Sequence, residues 1–212
     1  MLAASLVALL VTSILAVPIA RTMGRSAGWI LGVVPAFFTV WFAMQVGPVG
    51  AIGLQTAGAA GEGAFLTESI RWLAFEQLNG GQLAVDVSLR LDGLALLFAI
   101  LVTGIGALIS VYASVYVDGA AMRTRMLAWL YAFMAAMLGL VLSDDLIVMF
   151  VCWELTSITS FMLIGITETE KARKSALMAF LVTAMGGLAL LAGLLILGFA
   201  YGTFSVAEMS AI

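Results

Sequence analysis

The chain contains six long apolar runs separated by polar connections, and these runs limit its possible folds more than any other feature. A helix that crosses the hydrocarbon layer of a bilayer needs about 20 mostly apolar residues, because it rises about 1.5 Å per residue. We predict an all-α integral membrane protein, in which about six transmembrane helices form a single helical domain over residues 1–212. The predicted spans lie near 2–19, 28–47, 93–115, 125–142, 146–166 and 175–200. The fourth is short and could begin a turn earlier.

Composition supports a lipid bilayer as the surroundings and excludes several function classes. Only 10% of the residues are charged, whereas soluble domains carry about 25%. The net charge of −3 and the lack of a basic stretch argue against nucleic acid as a partner. The chain has no histidine and one cysteine, so we expect no disulfide, no His/Cys metal site and no haem. No nucleotide-binding glycine pattern or catalytic triad is present, so we expect no cofactor and no independent enzymatic activity.

The longest polar-leaning connection, residues 48–91, is predicted to form a short hairpin or loop region outside the membrane. Asn79-Gly80 is a dipeptide typical of a two-residue hairpin turn. The segment QLAVDVSLRL alternates apolar and polar residues and is predicted to be the return strand. Residues 66–78 are predicted to form a short amphipathic helix.

Positive charges are distributed unevenly between the connections, which predicts the orientation of the chain. Connections on the cytoplasmic side carry an excess of Lys and Arg. The second and fourth connections hold Arg71 and Arg90, and the first, third and fifth hold Arg21, Arg25, Arg123, Arg125, Lys171, Arg173 and Lys174. We therefore predict a multi-pass protein of the cell membrane with the odd connections in the cytoplasm. Both termini and the long loop are predicted to be extracytoplasmic.

Glu154 is the residue least expected from its surroundings, since it lies within the fifth span, in IVMFVCWELTSITSFMLIG. If that helix starts near Asp145, Glu154 lies roughly 13–14 Å along it, close to the middle of a hydrocarbon layer about 30 Å thick. A carboxylate at that depth costs at least about 2.5–3.5 kcal/mol. Glu154 must therefore face a hydrated cavity, pair with a cation or be protonated, and each option makes it a candidate proton-exchanging group.

Four further residues are candidates for a supporting proton path. Thr156 and Ser157 supply hydroxyl groups near Glu154, and Ser157 lies about one turn further along the helix. Lys174 opens the sixth span, where it either reaches the cytoplasmic surface or extends inward. Asp144 lies at the extracytoplasmic surface, as a helix cap or as a point where ions enter. Glu154 itself has an alternative interpretation, as a neutral buried acid that only fixes the helix register.

The third to sixth spans resemble the antiporter-like subunit family, which Mrp-type Na+/H+ antiporters share with respiratory complex I. The resemblance covers roughly 90–206, and its central motif, WELTSITSFMLIG, is similar to the Mrp version. The matching stretches are LDGLALLFAILVTGIGALISVYASVYV (91–117), MLGLVLSDDLIVMFVCWELTSITSFMLIG (137–165) and ALMAFLVTAMGGLALLAGLLILGFAYGTFSV (176–206).

The resemblance implies a role for Glu154. In this family the glutamate at that position is a key ionisable residue, which works with a lysine on a seventh helix in proton movement. Met178 stands where many members carry a lysine on the sixth helix. Because the sequence given stops at Ile212, we expect it to be the N-terminal part of an Mrp A-type subunit, either a fragment or a split subunit. The implied function is that of a secondary transporter component. Its partners would be the other subunits of a hetero-oligomeric antiporter complex, with Na+ and H+ as the transported ions.

Two other functions remain open from the sequence. The chain could be a proton-pumping membrane subunit of a complex I-type NADH:quinone oxidoreductase, although WELTSITSF and GGLALLAG disfavour it. It could instead be a non-transporting membrane scaffold, in which Glu154 would be replaceable by Gln without a change in ion flux.

Overall fold

The structure, a computed structural model, describes residues 1–49, 66–76 and 82–210. A single 3-10 turn, Gly24–Ser26, separates the first two helices. The helices are α1 Leu2–Met23, α2 Ala27–Met44, α3 Gly93–Tyr116, α4 Ala120–Leu142, α5 Leu146–Ile164, α6 Glu170–Tyr201 and the short α7 Val206–Ser210. The strands are β1 Leu66–Glu76 and β2 Gln82–Leu91.

The prediction of a helical membrane protein is confirmed. Within the described ranges, five helical runs are long and apolar enough to cross a membrane, and the first, Leu2–Val49, contains both α1 and α2. The fourth predicted span does begin earlier, at Ala120. The sixth starts at Glu170, before its apolar part, because the Thr169 hydroxyl accepts a hydrogen bond from the backbone N–H of Ala172 and caps the helix.

The prediction of a helix over residues 66–78 is wrong, since β1 occupies that part of the chain. β1 pairs with β2 in an antiparallel sheet whose register runs from Leu66 opposite Leu91 to Glu76 opposite Gln82. The predicted return strand is present as β2. Pairing with β2 favours a strand over a helix here, because a strand opposite β2 satisfies the backbone hydrogen-bonding groups of both segments. The predicted turn at Asn79-Gly80 lies outside the described residues.

One end of the helix bundle, which we call the hairpin end, contains the strands together with the start of α1 and the link between α4 and α5. The Glu68 carboxylate accepts a hydrogen bond from the backbone N–H of Ala3 at 2.9 Å and pairs with the terminal amine of Met1. The hydrogen bond from that amine lowers the pKa of Glu68. The N–H of Asp144 donates to the carbonyl oxygen of Ser88 at 2.9 Å.

The opposite end, which we call the basic end, contains the links between α1 and α2, between α3 and α4 and between α5 and α6. Arg25, between α1 and α2, pairs with Asp118, between α3 and α4, at 3.1 Å. Arg125 near the start of α4 pairs with Glu168, between α5 and α6. Helices α1 to α6 therefore run alternately between the two ends, as consecutive membrane crossings would.

Helices α1 to α4 form the densest part of the bundle, and small residues allow their backbones to approach closely. On α2, a Cβ added at Gly28 would lie 2.5 Å from the Cβ of Ser114 on α3, and even closer to the carbonyl oxygen of Ser110. A Cβ added at Gly32, one turn later, would meet α3 atoms at an ordinary 3.5 Å. Further along the same contact, the Thr39 and Thr103 hydroxyls are hydrogen-bonded at 3.0 Å.

Gly28→Ala should destabilise the protein, because the added methyl group overlaps the α3 backbone and forces α2 away from α3. Overpacking of this kind costs about 1–3 kcal/mol, which should appear as a lower midpoint of thermal unfolding in detergent. Gly32→Ala is the matched control on the same helix face, and we expect it to be neutral or slightly stabilising. Equal midpoints for the two variants would contradict the close α2–α3 contact.

Candidate functional site

The position of Glu154 is set by the start of α5. The Asp145 carboxylate accepts hydrogen bonds from the backbone N–H groups of Ile147 at 2.8 Å and Val148 at 3.1 Å, which fixes the first turn. Burial raises the pKa of Asp145, although these two backbone hydrogen bonds oppose the shift. Glu154 follows nine residues after this cap, so it lies roughly 13–14 Å from the hairpin end.

The carboxyl group of Glu154 lies in the contact between α5 and α6. The side chain is half-buried, and its Oε1 atom is buried without a hydrogen-bond partner among the described residues. A Cβ added at Gly187 of α6 would lie 3.2 Å from Cδ of Glu154 and still closer to Oε1. The carboxyl group therefore rests directly against the α6 backbone.

The burial of Oε1 against α6 has an energetic cost for Glu154. A buried oxygen without a donor loses its hydration and gains nothing in return, at a cost of about 1–3 kcal/mol, more for a charged group. A hydrogen-bond donor or a cation close to this oxygen would offset that cost.

The hydroxyl groups of Thr156 and Ser157 lie close to Glu154 along the chain, but they bond to their own helix. Both donate to the carbonyl oxygen of Trp153, Thr156 at 2.7 Å and Ser157 at 3.3 Å. Such bonds are common for hydroxyl side chains within helices. Their oxygen lone pairs remain able to accept a hydrogen bond from water, while their protons point toward the backbone.

Lys174 lies far from Glu154 in this structure. Its amine pairs with the carboxylate of Glu170 at 2.8 Å, and both side chains are exposed at the basic end. Lys174 precedes Gly187 by 13 residues, which corresponds to roughly 20 Å of helix. Lys174 therefore lies where the α5–α6 contact reaches the basic end, and it does not lie beside the carboxyl group of Glu154.

Asp144 lies at the hairpin end, where it joins three parts of the chain. Its carboxylate pairs with Arg90 of β2 at 3.5 Å and accepts a hydrogen bond from the Ser205 hydroxyl at 3.0 Å. Its carbonyl oxygen accepts from the N–H of Val206 at 2.7 Å. Only 8% of the Asp144 side chain and 16% of the Arg90 side chain are exposed. Sequence reasoning missed Arg90 as the partner, because only the return of β2 brings it to this position.

An acidic depression of about 400 Å³ opens beside Asp144 at the hairpin end. Its lining includes four carboxylates and several hydroxyl groups, from Thr67, Ser69, Asp86, Ser88, Asp144, Asp145, Thr203, Ser205 and Glu208. Within the part of the chain that the structure describes, no group of three or more His, Cys, Asp or Glu side chains is arranged to hold a metal ion. The depression and Glu154 are separate features, about two and a half helical turns apart along α5.

Two family profiles match the chain. The profile described as NADH:quinone oxidoreductase/Mrp antiporter, TM matches residues 143–212, which include α5, α6 and Glu154. The profile described as NADH-Ubiquinone oxidoreductase (complex I), chain 5 N-terminus matches residues 78–125.

Two relatives of similar sequence carry the name of a putative antiporter subunit. A putative antiporter subunit mnhA2 from Staphylococcus aureus (strain USA300) is 33% identical over 191 residues, which is 89% of this chain and 22% of the relative. The protein of the same name from strain MRSA252 is 34% identical over the same length. The chain thus spans about a fifth of the length of these curated relatives.

Solved structures show the same arrangement of helices. A chain in the structure of the Mrp complex from Dietzia sp. DQ12-45-1b is 31% identical, with a TM-score of 0.70, and the match covers 96% of this chain and 20% of that one. A chain of an archaeal membrane-bound sulfane sulfur reductase has a TM-score of 0.67 at 21% identity, over 98% of this chain and 29% of that one, which shows the fold alone.

Asp144→Ala should destabilise the hairpin end, because it leaves the Arg90 guanidinium mostly buried without its carboxylate. Removing one partner of a buried ion pair costs about 3 kcal/mol or more, measurable as a lower midpoint of unfolding in detergent. The double variant Asp144→Ala/Arg90→Met removes both charges and should recover most of the loss. A double variant as unstable as the single one would contradict the buried-charge explanation.

Proposed function

Because the chain belongs to the antiporter-like membrane subunit family that Mrp antiporters share with NADH:quinone oxidoreductases, we propose that it is a component of a multi-subunit cation/proton antiporter. In this proposal it supplies the N-terminal part of the large A-type subunit. It takes part in transmembrane proton translocation, and Na+ is the exchanged cation. The observation that carries the proposal is the Glu154 carboxyl group, which lies halfway along α5 against α6, with one oxygen buried and without a hydrogen-bond partner in the described part of the chain.

Glu154 acts as the proton-exchanging group. In its protonated form it carries no charge, so it is tolerated in the α5–α6 contact without a counterion. A positive charge that approaches on a neighbouring helix favours the ionised form and drives release of the proton. When that charge withdraws, the carboxylate takes up a proton again. The antiport cycle couples these two steps to movement of the cation.

The other candidate residues support the proton path at greater distances from Glu154. Thr156 and Ser157 offer lone pairs that hold water beside Glu154, since their own protons bond the Trp153 carbonyl oxygen. Lys174 stands at the mouth of the path at the basic end. Asp144 stands at the hairpin end, where it borders the acidic depression through which cations approach.

The basic end faces the cytoplasm in this proposal. The connections that carry most of the Lys and Arg residues converge on that end, as the pairs Arg25–Asp118 and Arg125–Glu168 indicate, and positively charged connections favour the cytoplasmic side. The hairpin end then faces outward, together with the start of α1 and the end of α6.

A subunit of a complex I-type oxidoreductase is the second candidate, favoured by the match of residues 78–125 to a complex I profile. The relatives at 33–34% identity are named as putative antiporter subunits, which favours the first candidate. Purification of the native complex distinguishes the two, because only the oxidoreductase would carry iron–sulfur subunits.

Glu154→Gln should abolish antiport while the complex still assembles, because Gln has nearly the same shape and cannot exchange a proton. The test is Na+-dependent proton movement in inverted vesicles from cells that contain the complete complex and lack other sodium antiporters. Glu154→Asp, which keeps the acid, should retain part of the activity. Normal sodium efflux with Glu154→Gln would refute the proposal and favour the scaffold.

The orientation predicts which residues an impermeant reagent reaches from outside. Thr67 and Lys171 are both exposed, at the hairpin end and the basic end respectively. In a Cys152→Ala background, we expect Thr67→Cys to react with a membrane-impermeant maleimide in intact cells. Lys171→Cys should react only after the membrane is permeabilised, and the reverse pattern would overturn the orientation.

A further inference from the structure

We propose that Gly187 is a positioning residue for Glu154, and that the absence of a side chain at this position holds the carboxyl group in the contact between α5 and α6. The inference rests on the proposed role of Glu154 and extends it to a second helix. Gly187 is buried, whereas both of its chain neighbours, Gly186 and Leu188, are exposed.

The Glu154 carboxyl group occupies the space that a side chain at position 187 would need. A Cβ at position 187 would lie 3.2 Å from Cδ of Glu154, 3.8 Å from Oε2 and closer than 3.0 Å to Oε1. Contacts of a Cβ atom below 3.0 Å essentially never occur in proteins. Any other residue at position 187 would therefore displace the carboxyl group of Glu154 or separate α5 from α6.

The backbone conformation at position 187 does not require a glycine. Gly187 lies inside the regular helix α6 and is absent from the glycines with positive φ, which among the described residues are Gly24, Gly119 and Gly202. Glycine is unfavourable in the middle of a helix relative to alanine. The contacts around Gly187 provide a different reason for a glycine, because its missing side chain leaves space for the carboxyl group of Glu154.

Two other glycines on the same helix differ from Gly187 in their surroundings. A Cβ added at Gly186 or at Gly193 would meet no atom within 4 Å. The buried residues of α6 are Ala176, Gly187, Leu194 and Gly198. Gly187 thus belongs to the face of α6 that meets α5, and Gly186 provides a matched control one position away.

Displacement of the carboxyl group should affect proton exchange strongly. A misplacement of about 1 Å at a reacting group can cost roughly 100-fold in rate. We expect Gly187→Ala to lower the antiport rate by at least about tenfold, measured in inverted vesicles that contain the complete complex. Gly186→Ala should stay within about twofold of the native rate.

Glu154→Asp provides the rescue that a merely structural role of Gly187 would not give. The shorter side chain withdraws the carboxyl group by about one carbon–carbon bond, ~1.5 Å, which removes the overlap with a methyl group at position 187. In the Glu154→Asp background, we therefore expect Gly187→Ala to change antiport and assembly by less than about twofold.

Labelling of Glu154 by a hydrophobic carbodiimide, quantified by mass spectrometry, gives a second readout that does not depend on transport. Glu154 should react faster in the Gly187→Ala variant than in the Gly186→Ala variant, because in the former its carboxyl group has left the buried contact.

Equal labelling rates, together with equal antiport rates, would overturn the inference. An assembly defect of Gly187→Ala that Glu154→Asp does not relieve would also overturn it. Antiport by Glu154→Gln, in contrast, would refute the proposed function and leave the labelling comparison intact.

Discussion

A carboxyl group halfway along an apolar helix cannot be left in hydrocarbon, and the contact between α5 and α6 is the protein's response to that constraint. Glu154 is carried to this depth by a helix that Asp145 caps at its first turn. On the facing helix, Gly187 leaves the space that the carboxyl group occupies. The carboxyl group of Glu154 and the missing side chain of Gly187 therefore occupy the same part of the contact between the two helices.

The helices of the bundle form two groups that differ in how much apolar surface they bury. Helices α1 to α4 enclose most of the buried apolar residues and pack closely at small residues such as Gly28. Helices α5 and α6 bury few residues and leave large apolar side chains exposed, among them Met185, Leu188 and Ile196. Such a surface is stable beside lipid or neighbouring subunits.

The two ends of the bundle are held in different ways. The basic end relies on exposed ion pairs such as Arg25–Asp118, with 68% and 89% of the two side chains exposed, and exposed pairs contribute at most about 1 kcal/mol. The hairpin end relies on mostly buried groups, where Arg90, Asp144 and Ser205 join β2 to the start of α5 and the residues after α6. The hairpin end is therefore the more firmly connected of the two, and it fixes the start of the helix on which Glu154 lies.

The sequence by itself determined that the long apolar segments are helices, that charged and apolar segments alternate and where Glu154 lies along its helix, because hydropathy and the rise of a helix are local properties. It also predicted β2 from its alternating residues. Only the tertiary structure decided that residues 66–76 form a strand, that Arg90 pairs with Asp144 and that Gly187, and not Gly186, faces Glu154. These outcomes depend on contacts between residues far apart along the chain and on the rotation of each helix about its axis, which an apolar sequence with low charge hardly specifies.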